Sequence, residues 1–189
     1  MRQFPCNPPY VFDNDCLASF LWVKRPDILT KIFLGQILTT KAVVHELTYL
    51  RKTRYNWVCL QLEEEIAKGA IKTVDLLVGT KEFLEFMDLI NGKFRRKVLG
   101  YGEASVLAWV KHNGGTVASN NISDVAEYCH VEKIGLISTD DILCLACTKK
   151  VISKKEAENL WSEMRARRRK LPDYSFAEAY HRFLNNLPK

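Results

Sequence analysis

The sequence predicts an α/β fold: a single domain built on a mainly parallel sheet flanked by helices, with a helical C-terminus. Short apolar runs such as Tyr10-Val11-Phe12 alternate with stretches whose apolar residues recur at helical spacing. Parallel neighbours need helical crossovers, and that alternation supplies them. The 189 residues are 47% hydrophobic and 26% charged, near the usual globular values of ~45–50% and ~25%. Such a chain can bury a core of one domain's size. With 9 Gly and 6 Pro, collagen-like and low-complexity readings are excluded. No repeat or linker divides residues 1–189.

In order, Tyr10-Val11-Phe12 lies between Pro8-Pro9 and the acids Asp13 and Asp15 and reads as a first buried strand. Leu17, Phe20 and Leu21 recur at helical spacing directly behind it. A second helix starts after Pro26, with Asp27 near its N-terminus, where negative charge is favourable. Ile37 to Thr40 reads as a second strand, and Val43, Val44, Leu47 and Leu50 mark one face of the next helix. Trp57, Leu60 and Glu64 fit a helix ending near Gly69. Ile71 to Leu76 reads as a strand and Glu82 to Ile90 as a helix. Gly100-Tyr101-Gly102 marks a sharp turn, after which Glu103 opens a helix carrying Ala104, Leu107, Ala108 and Trp109. Gly114-Gly115 ends it. Val117-Ala118 is a brief strand, Asp124 to Tyr128 a helix and Leu136-Ile137 another strand. Everything beyond Thr139 reads as helical, with Leu160, Trp161 and Met164 on one face. Residues 51–97 thus form a helical insertion, and residues 149–189 a basic helical C-terminal segment.

The net charge of +6 is concentrated. Between positions 149 and 170 stand nine basic residues and three acids, a surplus equal to that of the whole chain. A localised basic patch attracts a polyanion, although a solvated helix face has the same composition. The six cysteines (Cys6, Cys16, Cys59, Cys129, Cys144 and Cys147) are scattered, and the opening MRQFPCNPPY has no apolar core of a secretory signal. Reduced thiols and a cytoplasmic location are therefore expected. Cys144 and Cys147 form a CxxC without a second ligand pair, and they read as buried thiols in an apolar helix. No stretch approaches the ~20 apolar residues of a membrane helix.

In a parallel α/β sheet the site lies at the carboxyl ends of the strands. Asp13 and Asp15 follow the first strand, and Glu46, with His45 beside it, lies in the helix after the second. Glu103 opens a helix behind two glycines, and Asn120, Asn121 and Asp124 follow the Val117-Ala118 strand. Carboxylates gathered there suit a hard divalent cation, which takes oxygen ligands and keeps several waters. Without a cation they would repel and raise one another's pKa values. Acids at helix starts serve as caps just as readily.

The run Val11-Phe12-Asp13-Asn14-Asp15-Cys16-Leu17 resembles the opening motif of PIN domains. Lys41-Ala42-Val43-Val44-His45-Glu46-Leu47 is similar to their second motif, a Val-rich helix presenting a glutamate. Gly100-Tyr101-Gly102-Glu103-Ala104-Ser105-Val106-Leu107-Ala108 resembles the third, and it is the most specific of the matches. The fourth departs: where the family has one or two aspartates, this chain has Ser119-Asn120-Asn121-Ile122-Ser123-Asp124. Asparagine can hydrogen-bond a metal-bound water but adds no charge. Thr139-Asp140-Asp141 follows a later strand and reads as a turn into a helix, with Thr139 or Asp140 as N-cap. Glu63-Glu64-Glu65 reads as a solvated face, and His45 as an orienting or surface residue.

The resemblance implies a metal-dependent endoribonuclease that hydrolyses RNA phosphodiester bonds with Mg2+ or Mn2+, in a family that includes toxins of toxin–antitoxin pairs. It implies that Asp13, Glu103 and Asp124 hold the metal. Glu46 would be a ligand or orient the water, with Asp15, Asn120 and Asn121 in support. It also implies an RNA substrate and admits an antitoxin partner or a homodimer. Arg165, Arg167, Arg168 and Arg169 are the candidates for contact with the RNA backbone. The alternative is a catalytically weakened PIN domain that binds RNA or protein without cutting.

Overall fold

The structure, a computed structural model, describes residues 7–186, so Cys6 lies outside the described residues. The first apolar run forms β1 (Tyr10–Phe12), and the polar residues behind it turn straight into α1 (Asn14–Trp22). Pro26 stands at the first position of α2 (Pro26–Phe33), where its missing N–H costs nothing. Strand β2 (Ile37–Thr40) feeds α3 (Lys41–Thr48), and a 3-10 turn (Tyr49–Lys52) continues it. Next come α4 (Asn56–Ala67), β3 (Ile71–Val74) and α5 (Lys81–Ile90). The rest of the sheet layer is α6 (Tyr101–Asn113), β4 (Thr116–Ala118), α7 (Ile122–Val131) and β5 (Gly135–Ile137). Three helices close the chain: α8 (Thr139–Thr148), α9 (Lys154–Ala166) and α10 (Phe176–Asn185).

The five strands form one sheet in the order β3-β2-β1-β4-β5, with every pair parallel. This is the α/β architecture that the alternation predicts. Val11, Phe12, Val117 and Ala118 in the two middle strands are buried, as expected of a parallel sheet covered on both faces. At the β3 edge Lys72 and Thr73 are exposed. The chain leaves β1 on one side for β2 and β3 and returns on the other as β4 and β5. The carboxyl end of β1 is therefore a topological switch point, where a crevice opens in such sheets. Phe12 is in register with Thr39 and Ala118, and Ala118 with Ile137. The next residues, Thr40, Asp13, Ser119 and Ser138, consequently form a row along that edge.

Several local expectations are corrected. The insertion at 51–97 is not wholly helical, because β3 joins the sheet within it. Helix α4 buries Val58, Cys59 and Leu62, and Leu60 is exposed. Helix α6 begins at Tyr101, so Gly102 lies within its first turn and is no part of a loop. Ser138, neither Thr139 nor Asp140, caps α8; Asp141 accepts from the Ser138 backbone N–H at 3.0 Å and completes a capping box. Of the CxxC thiols, Cys144 is buried and Cys147 half-buried, and the five described cysteines are all free thiols. On α9 the expected face, Ala157, Leu160, Trp161 and Met164, is buried. Among the described residues no helix is long and apolar enough to cross a membrane.

Candidate active site at the carboxyl edge of the sheet

Asp13 is where β1 stops and α1 starts, and it is buried. One carboxylate oxygen caps α1, accepting from the Cys16 N–H at 2.8 Å. The other accepts from the Ser119 hydroxyl, so the ends of β1 and β4 are tied through this side chain. Burial pushes its carboxyl up to about 7, against the pull of those two hydrogen bonds; Asp15 and Glu103 add to the rise by like-charge repulsion.

Glu46 arrives from α3, six residues past Thr40, whose hydroxyl caps that helix by accepting from the Val43 N–H at 3.3 Å. Its Oε1 accepts from the Gly102 backbone N–H at 2.8 Å and its Oε2 from the Asn14 side-chain amide at 3.1 Å. The second glycine of the third motif thereby gains a physical reason. A Cβ on Gly102 would sit 2.8 Å and 2.9 Å from the two Glu46 oxygens. Ser105 fastens the same turn, donating to the Gly102 carbonyl at 2.7 Å and sharing a 2.7 Å hydrogen bond with the Thr40 hydroxyl.

Glu103 lies on the first turn of α6, and its Oε1 accepts from the Asn121 amide. The same amide nitrogen donates to Asp124. Asp124 in turn pairs with Lys97 at 2.7 Å, and that ammonium holds its carboxyl below the usual range. Asp124 is thus linked to the cleft through Asn121, with its charge already matched. Asn120 points elsewhere: its Oδ1 accepts from the Thr139 N–H at 2.9 Å, and its amide donates to Ser19 Oγ at 3.1 Å. It locks α1 to the start of α8.

Asp13, Asn14, Asp15, Glu46, Gly100 and Glu103 line one cleft of about 140 Å³. Lys170 stands at its rim, with Nζ 3.8 Å from Asp15 Oδ2. Four carboxylates from three chain segments therefore share this cleft, a donor set of hard oxygens suited to Mg2+ or Mn2+. Among the described residues no three His, Cys, Asp or Glu side chains converge tightly enough to hold a metal ion on their own. A cation held there would need water and substrate oxygens to complete its shell, the usual habit of Mg2+.

Other candidates fall outside the cleft. Glu63 pairs with Arg51, and Glu64 and Glu65 with Lys68 on α4. Asp140 is buried and accepts from the Tyr174 hydroxyl at 2.6 Å. His45 is exposed, edge-on to Tyr49. Arg165 pairs with Asp173 and Arg167 with Glu163, while Arg168 is exposed and Arg169 packs over the Trp22 ring. Sequence reasoning missed Ser119, Asn14 and Lys97. Ser119 could have been found from its place directly after a strand; Lys97 has no such signal, being 27 positions from its partner.

The cleft thus belongs to an α/β protein of PIN-like fold. A chain in the crystal structure of VapBC2 from Rickettsia felis bound to a DNA fragment from their promoter is similar in fold, with a TM-score of 0.51 and 13% identity. The match covers 68% of this chain and 97% of that one. No family model matches the chain, and no curated protein matches it.

Proposed function

We propose that the cleft is the active centre of a metal-dependent endoribonuclease. The observation that carries this reading is the meeting of Asp13, Asp15, Glu46 and Glu103 at the switch point of the sheet, where the buried Asp13 carboxylate has no cationic partner among the described residues. Asp13 and Glu103 would hold a divalent cation, with Asp15 beside them. A bound Mg2+ or Mn2+ would supply an activated water and stabilise charge on the attacked phosphate. Glu46, anchored at both oxygens, would orient that water and accept its proton. Asn121 would fix Glu103 in its rotamer, and Asp124 would act through Asn121. Ser119 would keep Asp13 turned into the cleft. An antitoxin-like protein partner and a homodimer belong to the same proposal, on the strength of the sequence resemblance.

A second reading is favoured by one feature. The fourth position carries Asn121 rather than an acid, and Lys97 already neutralises Asp124. A weakened domain that binds RNA without cutting would look the same there. Incubating the purified protein with end-labelled single-stranded RNA, with Mg2+ or Mn2+ and with chelator, separates the two. Cleavage that appears with the cation and vanishes with chelator is the expected result. Binding without cation-dependent turnover would favour the weakened domain.

A further inference from the structure

We propose that an aromatic shelf beside the cleft is a stacking track for single-stranded RNA, leading from Trp57 past Arg169 to Asp15. The inference rests on the nuclease reading and adds where the strand lies and what grips it. Trp22 ends α1, the helix that starts at the cleft, so the shelf begins about 10 Å from Asp15 at 1.5 Å per helical residue. The Trp22 ring is itself buried and backs the shelf, 4.7 Å from Tyr55 and 5.5 Å from Trp57, which are partly exposed. Cations cover these rings: Arg169 at 4.7 Å over Trp22, Lys24 at 5.2 Å and Arg167 at 5.7 Å over Trp57. Three such contacts on two touching rings gather cationic charge at one place beside the cleft.

Arg167 is already paired with Glu163, so the charge left for a ligand lies on Lys24 and Arg169. Among the described residues neither Lys24 nor Arg169 makes a salt bridge, and Lys170, next to Arg169, reaches only to 3.8 Å of Asp15. Arg169 and Lys170 therefore join the shelf to the rim of the cleft. An acidic peptide could use the cations but would leave the partly exposed Trp57 ring idle. A single strand uses both: phosphates meet the cations, and unpaired bases stack on rings and guanidinium planes. A duplex hides its base faces. The chemistry thus selects an unpaired strand.

The test uses the full chain and a mixed-sequence 2′-O-methyl RNA oligonucleotide in chelator, so that binding is read without hydrolysis. Anisotropy and tryptophan fluorescence are followed for wild type, Trp57→Leu, Trp57→Phe and the double variant Lys24→Gln/Arg169→Gln. Wild type should bind with quenching, and Trp57→Leu should bind about tenfold more weakly whatever the sequence. Trp57→Phe should recover most of the loss. The double variant should flatten the slope of log affinity against log salt by about 1.4, the value for two single-strand phosphates. Wild-type affinity in Trp57→Leu, or equal binding of duplex RNA or polyglutamate, would overturn the track. A wild type that binds this way and never cleaves RNA would keep the track and refute the nuclease. Cleaving and binding unchanged in Trp57→Leu would do the opposite.

Discussion

Both oxygens of Asp13 rest on donors, yet burial outweighs them and lifts the carboxyl from 3.8 to about 7. The folded, metal-free protein then binds a proton between those values that the unfolded chain releases. By linkage this contribution to stability is fullest below about pH 4 and is lost as pH rises through 7, by at most roughly 4 kcal/mol. Chemical denaturation of metal-free protein at a series of pH values should show stability falling from pH 5 to 8. Asp13→Asn, which can still cap α1, should flatten that profile; a wild type that gains stability over the same range would contradict the assignment. Gly102 carries a second prediction. In Gly102→Ala the new methyl group must displace the Glu46 carboxylate, and misplacing such a group by about 1 Å can cost on the order of 100-fold in rate. RNA cleavage should fall by that order while the circular dichroism spectrum is unchanged. Glu46 itself was legible as an acid on a Val-rich helix. The reason for Gly102 was not, because the carboxylate that forbids a side chain there comes from 56 positions earlier.

Thr40 ends its strand, Asp13 and Ser138 directly follow theirs, and each caps the helix that follows at once. This repeated device sets strand ends and helix starts in one row, and it made strands as short as three residues readable from their flanks. Where it failed, the failure was local. Helix α4 has Trp57, Val58, Cys59, Leu60 and Leu62 in succession, so apolar spacing alone could not select its buried face. Ser138 was passed over as a cap because Thr139 and Asp140 beside it are equally good capping types. The fourth motif was half legible: two asparagines were visible, but only the packing separates their tasks. Asn121 turns to Glu103 and Asp124, and Asn120 to the start of α8. Asn120→Ala should leave the buried Thr139 amide without its acceptor and destabilise the protein by about 1–3 kcal/mol. Urea denaturation measures this, and the folded variant should keep its cleavage rate at saturating RNA. A stable but inactive Asn120→Ala would mean that Asn120 belongs to the chemistry.

Across the whole molecule, the basic C-terminal segment is part of the fold. Trp161 on α9 donates to the Tyr174 carbonyl at 3.2 Å, and Tyr174 donates to Asp140 on α8. Phe176 and Phe183 of α10 are buried. The apolar face of this segment was readable by its spacing; the partners of its arginines were not, since Arg165, Arg167 and Arg169 each turn to a different neighbour. The result is a cleft of carboxylates with a cationic rim, and its proposed chemistry depends on Asp13 and Glu103 together. The most direct measurement is single-turnover cleavage of single-stranded RNA in Mn2+ by wild type, Asp13→Asn, Glu103→Gln and the double variant, with folding checked by circular dichroism. The expected result is cation-dependent cleavage by wild type and a loss of at least about a hundredfold in each single variant. A double variant that cuts at the wild-type rate, or cleavage that persists unchanged in chelator, would contradict it.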